Sequence, residues 1–183
     1  MSDYLTAQDW IDFALKVLAR QGFDALKADV LARKLHVSRG SFYWHFTDLG
    51  DFHARVITHW KQTATEAIIA DIERYESPEE RFEALLRRAF GHSAALEVRM
   101  RFWAESKVEA ERAVGEIDRR RCDYMRSLLV AAHVAPPLAA TRAELVYWTY
   151  LGAALGRTKL TGERLERIVT ELSRVALDKS SDR

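Results

Sequence analysis

The sequence predicts an all-α protein, on three grounds. Apolar residues recur at spacings of three and four along almost the whole chain, which is the period of amphipathic helices. No β-branched run alternates with polar residues between turn signals, as a half-buried strand requires. Only three prolines interrupt the 183 residues. We expect about nine helices, with a three-helix N-terminal domain followed by a C-terminal helical bundle.

The composition is typical of a folded globular protein, with 48% hydrophobic and 30% charged residues. Twenty-eight Lys and Arg against twenty-seven Asp and Glu leave a net charge of +1, so any nucleic-acid site must be local. The single cysteine, Cys122, cannot form an internal disulfide, and the N-terminus lacks the apolar core of a signal peptide. Since no apolar run has the length of a membrane span, we expect a cytoplasmic protein with no membrane partner.

The first three helices are short and closely spaced. Thr6 supplies the N-cap of the first helix, and Gly22 ends it. A second helix covers about residues 27–35, and a third covers about residues 38–46. Ser38 begins the third helix because its hydroxyl can accept a hydrogen bond from a free backbone amide.

Capping signals mark two of the six later helices. Ser77-Pro78-Glu79-Glu80 combines a serine cap, a proline at the first helical position and a glutamate at the third. Ser106 and Glu109 have the spacing of a second capping box. We expect the six helices at about residues 51–76, from Pro78 onward, around Met100 and Trp103, from Ser106 to before Pro136, and at about residues 138–156 and 161–178.

The second and third helices form a helix-turn-helix pattern, which in DNA-binding proteins places the second of the two helices in the major groove. Four basic side chains and one acidic side chain lie within residues 26–46: Lys27, Arg33, Lys34, Arg39 and Asp29. This local excess of positive charge is a modest footprint of the kind that attracts phosphates.

Residues 22–46, GFDALKADVLARKLHVSRGSFYWHF, resemble the TetR-like (TetR/AcrR) family of bacterial transcriptional regulators. The residues that carry the resemblance occur at the family's spacing: Leu31-Ala32, Val37-Ser38, Gly40, Phe42-Tyr43 and His45-Phe46. The resemblance implies a helix-turn-helix DNA-binding domain over residues 1–48 and a helical ligand-binding and dimerisation domain over residues 49–183. It also implies that a homodimer binds double-stranded DNA.

Three positions depart from the family pattern. His36 stands where the family has the turn glycine, so we expect His36 to adopt the left-handed conformation at a cost of roughly 1 kcal/mol. Lys27 or Leu26 replaces the usual Thr or Ser cap of the second helix, so an ammonium group would make the phosphate contact there. Leu49, beside Gly50, replaces a lysine that contacts phosphate in the family.

The segment VSRGSFYWHF, residues 37–46, cannot bury all its aromatic rings within about two helical turns. We expect Val37, Phe42 and Phe46 in the core of the small domain. Gly40 leaves room for a close approach of DNA or of the preceding helix. The remaining aromatic surface must therefore face outward.

The outward side chains are the candidates for DNA contact. The resemblance implies that Tyr43 and His45 bond phosphates through their polar tips, which fixes register without reading sequence. Arg39 is the candidate for a guanine and Trp44 for thymine methyl groups, although Trp44 could instead pack against the first helix of the other domain. The full set of expected DNA-binding residues is Lys27, Ser38, Arg39, Gly40, Ser41, Tyr43, Trp44 and His45.

The resemblance implies that the C-terminal helices provide a dimer interface and a ligand pocket. A dimer also follows from the short recognition helix, because two-fold symmetry doubles its few contacts on a palindromic site. The expected interface residues, any of which could be intrachain core, are Trp148, Leu151, Leu155, Leu165, Ile168 and Leu172. The expected ligand-binding residues, each of which could also be core, are Trp60, Phe90, Met100, Trp103, Tyr124 and Tyr147.

Three further residues could add polarity to the pocket. They are His59, His92 and Arg121, and Arg121 would favour an anionic ligand. The run Asp118-Arg119-Arg120-Arg121 could also be a solvated helix face.

These observations predict a ligand-responsive transcriptional repressor that binds a palindromic operator and is released by a small, mostly apolar effector. No phosphate loop, serine elbow, metalloprotease motif or paired Glu-x-x-His motif occurs, so we expect neither an enzyme nor a metal or cofactor. The alternative is a helical ligand-binding or adaptor protein whose helix-turn-helix no longer reads DNA strongly. The charge of residues 1–50 allows it, because six basic and six acidic side chains balance there.

Overall fold

The computed structural model describes residues 5–179, and every regular element in that range is helical. The α-helices are α1 (Ala7–Gln21), α2 (Ala28–Lys34), α3 (Arg39–Tyr43), α4 (Leu49–Lys61), α5 (Ala67–Ile72), α6 (Pro78–Gly91), α7 (Ala95–Ala104), α8 (Val108–Ala131), α9 (Pro136–Leu155) and α10 (Gly162–Ala176). A 3₁₀ turn, Phe23–Ala25, follows α1, and a π-helical turn, Gln62–Glu66, joins α4 to α5. With α4, the π-helical turn and α5 counted together, the described range has nine helices. The all-α prediction is confirmed.

The chain divides into two compact units. The first unit contains the residues up to Thr63 together with Ala95–Val114, and the second contains Ala64–Ala94 together with the residues from Gly115 onward. Residues 1–4 and 180–183, which end the two predicted domains, lie outside the described residues. The functional division after residue 48 stays a prediction.

An aromatic cluster forms the core of the first unit. Phe42 is fully buried, and its ring lies 5.4 Å from that of Trp10, 4.9 Å from that of Phe46 and 5.1 Å from that of Phe52. Burying a side chain of this size contributes roughly 1.5–3 kcal/mol. The expected burial of Phe42 and Phe46 is confirmed, whereas Val37 is half-buried. These contacts fix α3 against α1 and α4.

The predicted caps of α1 and α6 are present. Thr6 Oγ1 accepts a hydrogen bond from the backbone amide of Asp9 at 3.2 Å, and the Asp9 carboxylate accepts one from the amide of Thr6 at 2.8 Å. Ser77 and Glu80 make the same reciprocal pair at 3.1 and 3.3 Å. Gly22 ends α1 with a φ of +84°, a conformation that favours glycine.

The capping box expected at Ser106 and Glu109 does not form. α8 begins at Val108, and the Ser106 hydroxyl instead donates to the carbonyl oxygen of Trp103 at 3.1 Å. Because α7 ends only two residues before Ser106, both the amide and the hydroxyl of Ser106 donate to this carbonyl at the end of α7, and the hydroxyl caps no amide of α8.

The second unit has its own core, to which α6, α8, α9 and α10 contribute. Its fully buried side chains include Phe82, Leu86, Leu129 and Val169. Buried Arg142 donates to the carbonyl oxygens of Ala176 and Asp178, which satisfies backbone groups at the end of α10. In the part of the chain that the structure describes, no helix is both long enough and apolar enough to cross a bilayer.

Candidate nucleic-acid interface and ligand cavity

The turn between α2 and α3 is closed by backbone hydrogen bonds around His36. His36 has a φ of +57°, so the predicted left-handed conformation is confirmed. The Val37 amide donates to the carbonyl oxygen of Ala32 at 3.0 Å, as in a Schellman motif. This bond ends α2 and sets the direction in which the chain enters α3.

α3 begins at a capped end that is exposed. The Ser38 hydroxyl accepts a hydrogen bond from the Ser41 amide at 3.4 Å, which confirms its role as a cap. A Cβ added to Gly40 would meet only Ser38 Oγ, at 3.6 Å, which is ordinary van der Waals contact. The fold itself therefore leaves space for a side chain at position 40, and packing against the preceding helix does not explain the glycine. The close approach of DNA to Gly40 stays a prediction.

The outward face of α3, together with the C-cap residue Trp44, exposes the side chains of Arg39, Tyr43 and Trp44. Tyr43 is 47% exposed and Trp44 is 88% exposed, although Phe42 beside them is fully buried. At this exposure, Trp44 packs against no helix within residues 5–179. The hydroxyl of Tyr43 raises the pKa of the Arg39 guanidinium, chiefly through a hydrogen bond, so Arg39 stays charged.

The other expected DNA-binding residues flank this face. Lys27 is exposed at the N-cap of α2, and its side chain makes no capping hydrogen bond there. Ser41 and His45 are half-buried. All eight residues expected to bind DNA therefore lie within the helix-turn-helix or directly beside it.

Gly50 has an explanation that sequence reasoning missed. Asp48 caps α4, because its Oδ1 accepts a hydrogen bond from the Asp51 amide at 2.8 Å. A Cβ at position 50 would lie 3.1 Å from that oxygen, which is a tight contact. The glycine keeps the capping carboxylate in place.

Residues 11–48 match the family model described as bacterial regulatory proteins, tetR family. The helix-turn-helix is therefore similar to that of the TetR family. No curated protein sequence matches the chain.

Solved structures of TetR-like regulators share the fold of most of the chain. A TetR transcriptional regulator from Legionella pneumophila superposes with a TM-score of 0.72 at 16% identity, over 97% of this chain and 100% of that one. The regulator FadR from Bacillus subtilis, solved with stearoyl-CoA, superposes with a TM-score of 0.64 at 15% identity, over 93% of this chain and 97% of that one. A transcriptional regulator from Saccharomonospora viridis, solved with choline, superposes with a TM-score of 0.70 at 13% identity, over 91% of this chain and 92% of that one. The TetR-like resemblance is confirmed.

The second unit contains a cavity of about 90 Å³ with mostly apolar walls. Three of the expected ligand-binding residues, Phe90, Tyr124 and Tyr147, line it. The other three do not: Trp60, Met100 and Trp103 are buried within the first unit. The other lining residues are Ala64, Thr65, Ile68, Ile69, Leu85, Leu86, Arg88, Ala89, Arg121, Met125, Val146 and Tyr150.

Tyrosines at the cavity are held by carboxylates. The Tyr124 hydroxyl donates to Glu73 Oε1 at 2.7 Å, and the Tyr147 hydroxyl donates to Asp118 Oδ1 at 2.6 Å. Burial, and then the hydrogen bond to Glu73, raises the pKa of Tyr124 above its usual range, so this hydroxyl stays protonated. The tyrosine rings are thereby fixed in the cavity wall.

Arg121 lines the cavity rather than a solvated helix face. Its Nε donates to Thr65 Oγ1 at 3.2 Å and its Nη2 donates to the carbonyl oxygen of Ala64 at 3.0 Å. Its guanidinium also lies over the ring of Tyr150, 5.9 Å from the centroid. Thr65 and Ala64 belong to the π-helical turn, an element that is frequent at functional sites. Arg121 therefore links this turn to the cavity wall.

The two expected histidines lie elsewhere. His59 belongs to the first unit, where its Nε2 lies 2.8 Å from Asp12 Oδ1. His92 lies in a cleft of the second unit, next to Arg88. Among residues 5–179, no group of three or more His, Cys, Asp and Glu side chains could hold a metal ion.

The expected dimer residues form two groups on α9 and α10. Trp148 is 60% exposed and Leu155 is 54% exposed, and Ile168 is also exposed. Leu151, Leu165 and Leu172 are half-buried against the core of the second unit. Exposed Leu145 and Val175 extend the apolar surface on the two helices. We call the exposed residues Leu145, Trp148, Leu155, Ile168 and Val175 the apolar face.

Proposed function

We propose that the protein is a ligand-responsive transcriptional repressor, which binds a palindromic operator as a homodimer and is released by a small, mostly apolar effector. In this proposal, residues 1–48 read DNA and residues 49–183 bind the effector and the second protomer. The protein acts on DNA and therefore in the cytoplasm.

The outward face of α3 is the observation that carries the proposal. Arg39, Tyr43 and Trp44 are exposed on a helix that Phe42 and Phe46 anchor in the core. A major groove offers thymine methyls to an exposed tryptophan and guanine acceptors to an exposed arginine. We assign Arg39, Ser41 and Trp44 to base edges. Lys27, Tyr43, His45 and the backbone around Ser38 and Gly40 are assigned to phosphates.

The apolar face supports the dimer. Helical sequences rarely expose Trp and Leu at such density without a partner surface, and pairing α9 and α10 of two protomers would bury it in a four-helix arrangement. We propose that Trp148, Leu155 and Ile168 make the central contacts. Leu151, Leu165 and Leu172 lie beneath them.

The cavity of the second unit supports effector binding. FadR from Bacillus subtilis is described with stearoyl-CoA and the Saccharomonospora viridis protein with choline, so this fold accommodates ligands of different charge. We propose that Phe90, Tyr124 and Tyr147 contact the effector. An effector that prefers one conformation of the pocket disfavours the DNA-binding conformation by its difference in affinity.

Selection of random DNA duplexes on the purified protein tests this function. A palindromic sequence enriched by the wild-type protein, and not by Arg39→Ala, supports the proposal. The competing function is that of a helical ligand-binding or adaptor protein. A folded, dimeric protein that enriches no sequence, even after bound ligand is removed by unfolding and refolding, would establish this alternative.

A further inference from the structure

A basic cleft adjoins the tyrosine-lined cavity of the second unit. The cleft has a volume of about 560 Å³ and lies between α5 and α6. Ile68 and Arg88 line both the cleft and the cavity, so the two spaces share a wall. The charged and titratable residues of the cleft are Asp71, Arg74, Arg87, Arg88, Tyr75 and His92.

Two of the three arginines in the cleft are paired with carboxylates. Arg74 forms an ion pair with Asp71 at 3.2 Å. Arg87 forms ion pairs with Glu83 and Glu166, both at 3.0 Å. Their positive charges are largely compensated before any ligand arrives.

Arg88 differs from its neighbours, because its partner is an imidazole. His92 Nδ1 lies 2.9 Å from the carbonyl oxygen of Arg88, so Nδ1 carries the proton and donates to that oxygen. The opposite nitrogen, Nε2, is then the acceptor that faces Arg88 Nη1. Within residues 5–179, no carboxylate pairs with Arg88. Its charge stands uncompensated at the junction of an apolar cavity and a basic cleft.

The cavity itself disfavours a cationic head group. A cation would seek the faces of the tyrosine rings, but the Arg121 guanidinium already lies over Tyr150. Arg121 and Arg88 both line the cavity, and both are positive. A cavity of about 90 Å³ is also small beside the roughly 300–1,000 Å³ of drug-sized sites, which favours a slender apolar chain.

We propose that the effector is an amphiphile whose anionic head binds Arg88 at the cleft and whose slender apolar tail enters the tyrosine-lined cavity. The head would be a carboxylate or a phosphate, because either is a stronger acceptor for the guanidinium than His92 Nε2 is. This inference rests on the proposed function in calling the ligand an effector. The assignment of the binding site itself does not depend on DNA.

Calorimetric titration of the full-length protein without DNA tests the head-group preference. The probes share one tail and differ in charge: octyl phosphate, octanoate, 1-octanol and octyltrimethylammonium. We expect at least one anionic probe to bind at least about tenfold more tightly than the alcohol, and the cation to bind most weakly. The ranking of octyl phosphate and octanoate identifies the preferred anion. If the alcohol or the cation binds as tightly as both anions, or if neither anion binds, the proposal is overturned.

Two matched variants locate the preference. Arg88→Gln should lower the affinity for the anionic probe at least about tenfold and leave that for 1-octanol within about threefold. Arg87→Gln, in the same cleft and on the same helix, should change neither by more than about threefold, because Arg87 is committed to Glu83 and Glu166. Equal effects of the two variants would contradict the assignment to Arg88. If Arg88→Gln does not fold, the comparison of head groups on the wild-type protein still decides the proposal.

The same titrations separate this inference from the proposed function. If the protein prefers anionic probes but enriches no DNA, the binding site at Arg88 is supported and the proposed regulatory function is contradicted. If the protein binds a palindrome but shows no preference for anionic probes, the proposed regulatory function is supported and the binding site at Arg88 is contradicted.

Discussion

Arg39 Nη2 donates a hydrogen bond to the hydroxyl of Tyr43 at 3.1 Å, and the Arg39 guanidinium lies over the Tyr43 ring, 5.5 Å from its centroid. The two side chains are four residues apart, so they lie on one face of α3. The position of the guanidinium is therefore restricted before DNA arrives. The proposed base-reading group and the proposed phosphate-binding group are held together.

The two residues should respond differently to substitution. Tyr43→Phe removes the hydroxyl but keeps the ring on which the Arg39 guanidinium lies, so it should weaken binding to all duplexes by a similar factor, on the order of fivefold. Arg39→Ala should remove roughly 1–3 kcal/mol of discrimination at one base pair in each half-site. Binding of the two variants to a set of single-base variants of the selected operator measures both effects. An unchanged sequence preference in Arg39→Ala would show that Arg39 does not read a base.

Trp44 should matter for DNA binding but not for stability. Because its side chain is 88% exposed, Trp44→Ala should change the free energy of unfolding by less than about 0.5 kcal/mol. The affinity for the operator should fall, since alanine is too short to pack against thymine methyls as the indole ring does. Phe42→Ala, at a buried position of the same helix, should lower the free energy of unfolding by roughly 3–5 kcal/mol. Urea denaturation and DNA titration of both variants test this contrast, and an unaltered DNA affinity in Trp44→Ala would refute the contact.

His36 should be a position where glycine stabilises the fold. Its φ of +57° is unfavourable for a residue with a Cβ, so His36→Gly should raise the free energy of unfolding by a few tenths to about 1 kcal/mol. Arg33→Gly, on an exposed helical position of α2, should lower it by about 0.5–1 kcal/mol. Urea denaturation of the two variants compares these opposite signs. A loss of stability in His36→Gly would mean that contacts of the imidazole outweigh the backbone strain.

The apolar face should hold the dimer together. Trp148→Glu and Leu155→Glu place a charge in the proposed interface, where its desolvation is unfavourable, and both should yield monomers. Both side chains are largely exposed, so the monomer should remain folded. Val108→Glu, an equally exposed apolar position in the first unit, serves as the control and should stay dimeric. Sedimentation velocity distinguishes these outcomes, and dimers in both interface variants would exclude this face.

The sequence predicted the helix-turn-helix well because its signals are local. A serine cap, a left-handed turn residue and buried rings four residues apart each depend on near neighbours, and Ser38, His36, Phe42 and Phe46 all behave as expected. Ser106 shows the limit of such signals. Its hydroxyl lies between the end of α7 and the start of α8, and the spacing to Glu109 could not reveal which of the two helices it would bond.

The cavity could be predicted only in part, because helical periodicity identifies buried side chains but not the unit in which they are buried. Phe90 and Trp60 each lie on the apolar stripe of a helix, yet Phe90 lines the cavity and Trp60 lies in the core of the first unit. The π-helical turn had no signal either, since residues 62–66 contain neither glycine nor proline. The charge of Arg88 is uncompensated because the nearby carboxylates pair with Arg74 and Arg87 instead. Only the tertiary structure shows these pairings.

The salt dependence of binding to the selected duplex tests the central claim, that α3 reads DNA, most directly. Each phosphate that a cationic side chain neutralises releases counterions, so log K should fall with log salt at about −0.9 per phosphate, and the two Lys27 ammonium groups of a dimer should alone give a slope of about −2. The Tyr43 hydroxyl and the backbone amides at the capped end of α3 carry no charge, so they should add little to this slope. In Lys27→Gln the slope should become less steep by about one unit for each phosphate that the lysine neutralises. An affinity independent of salt would contradict the account and favour a helix-turn-helix that binds a protein.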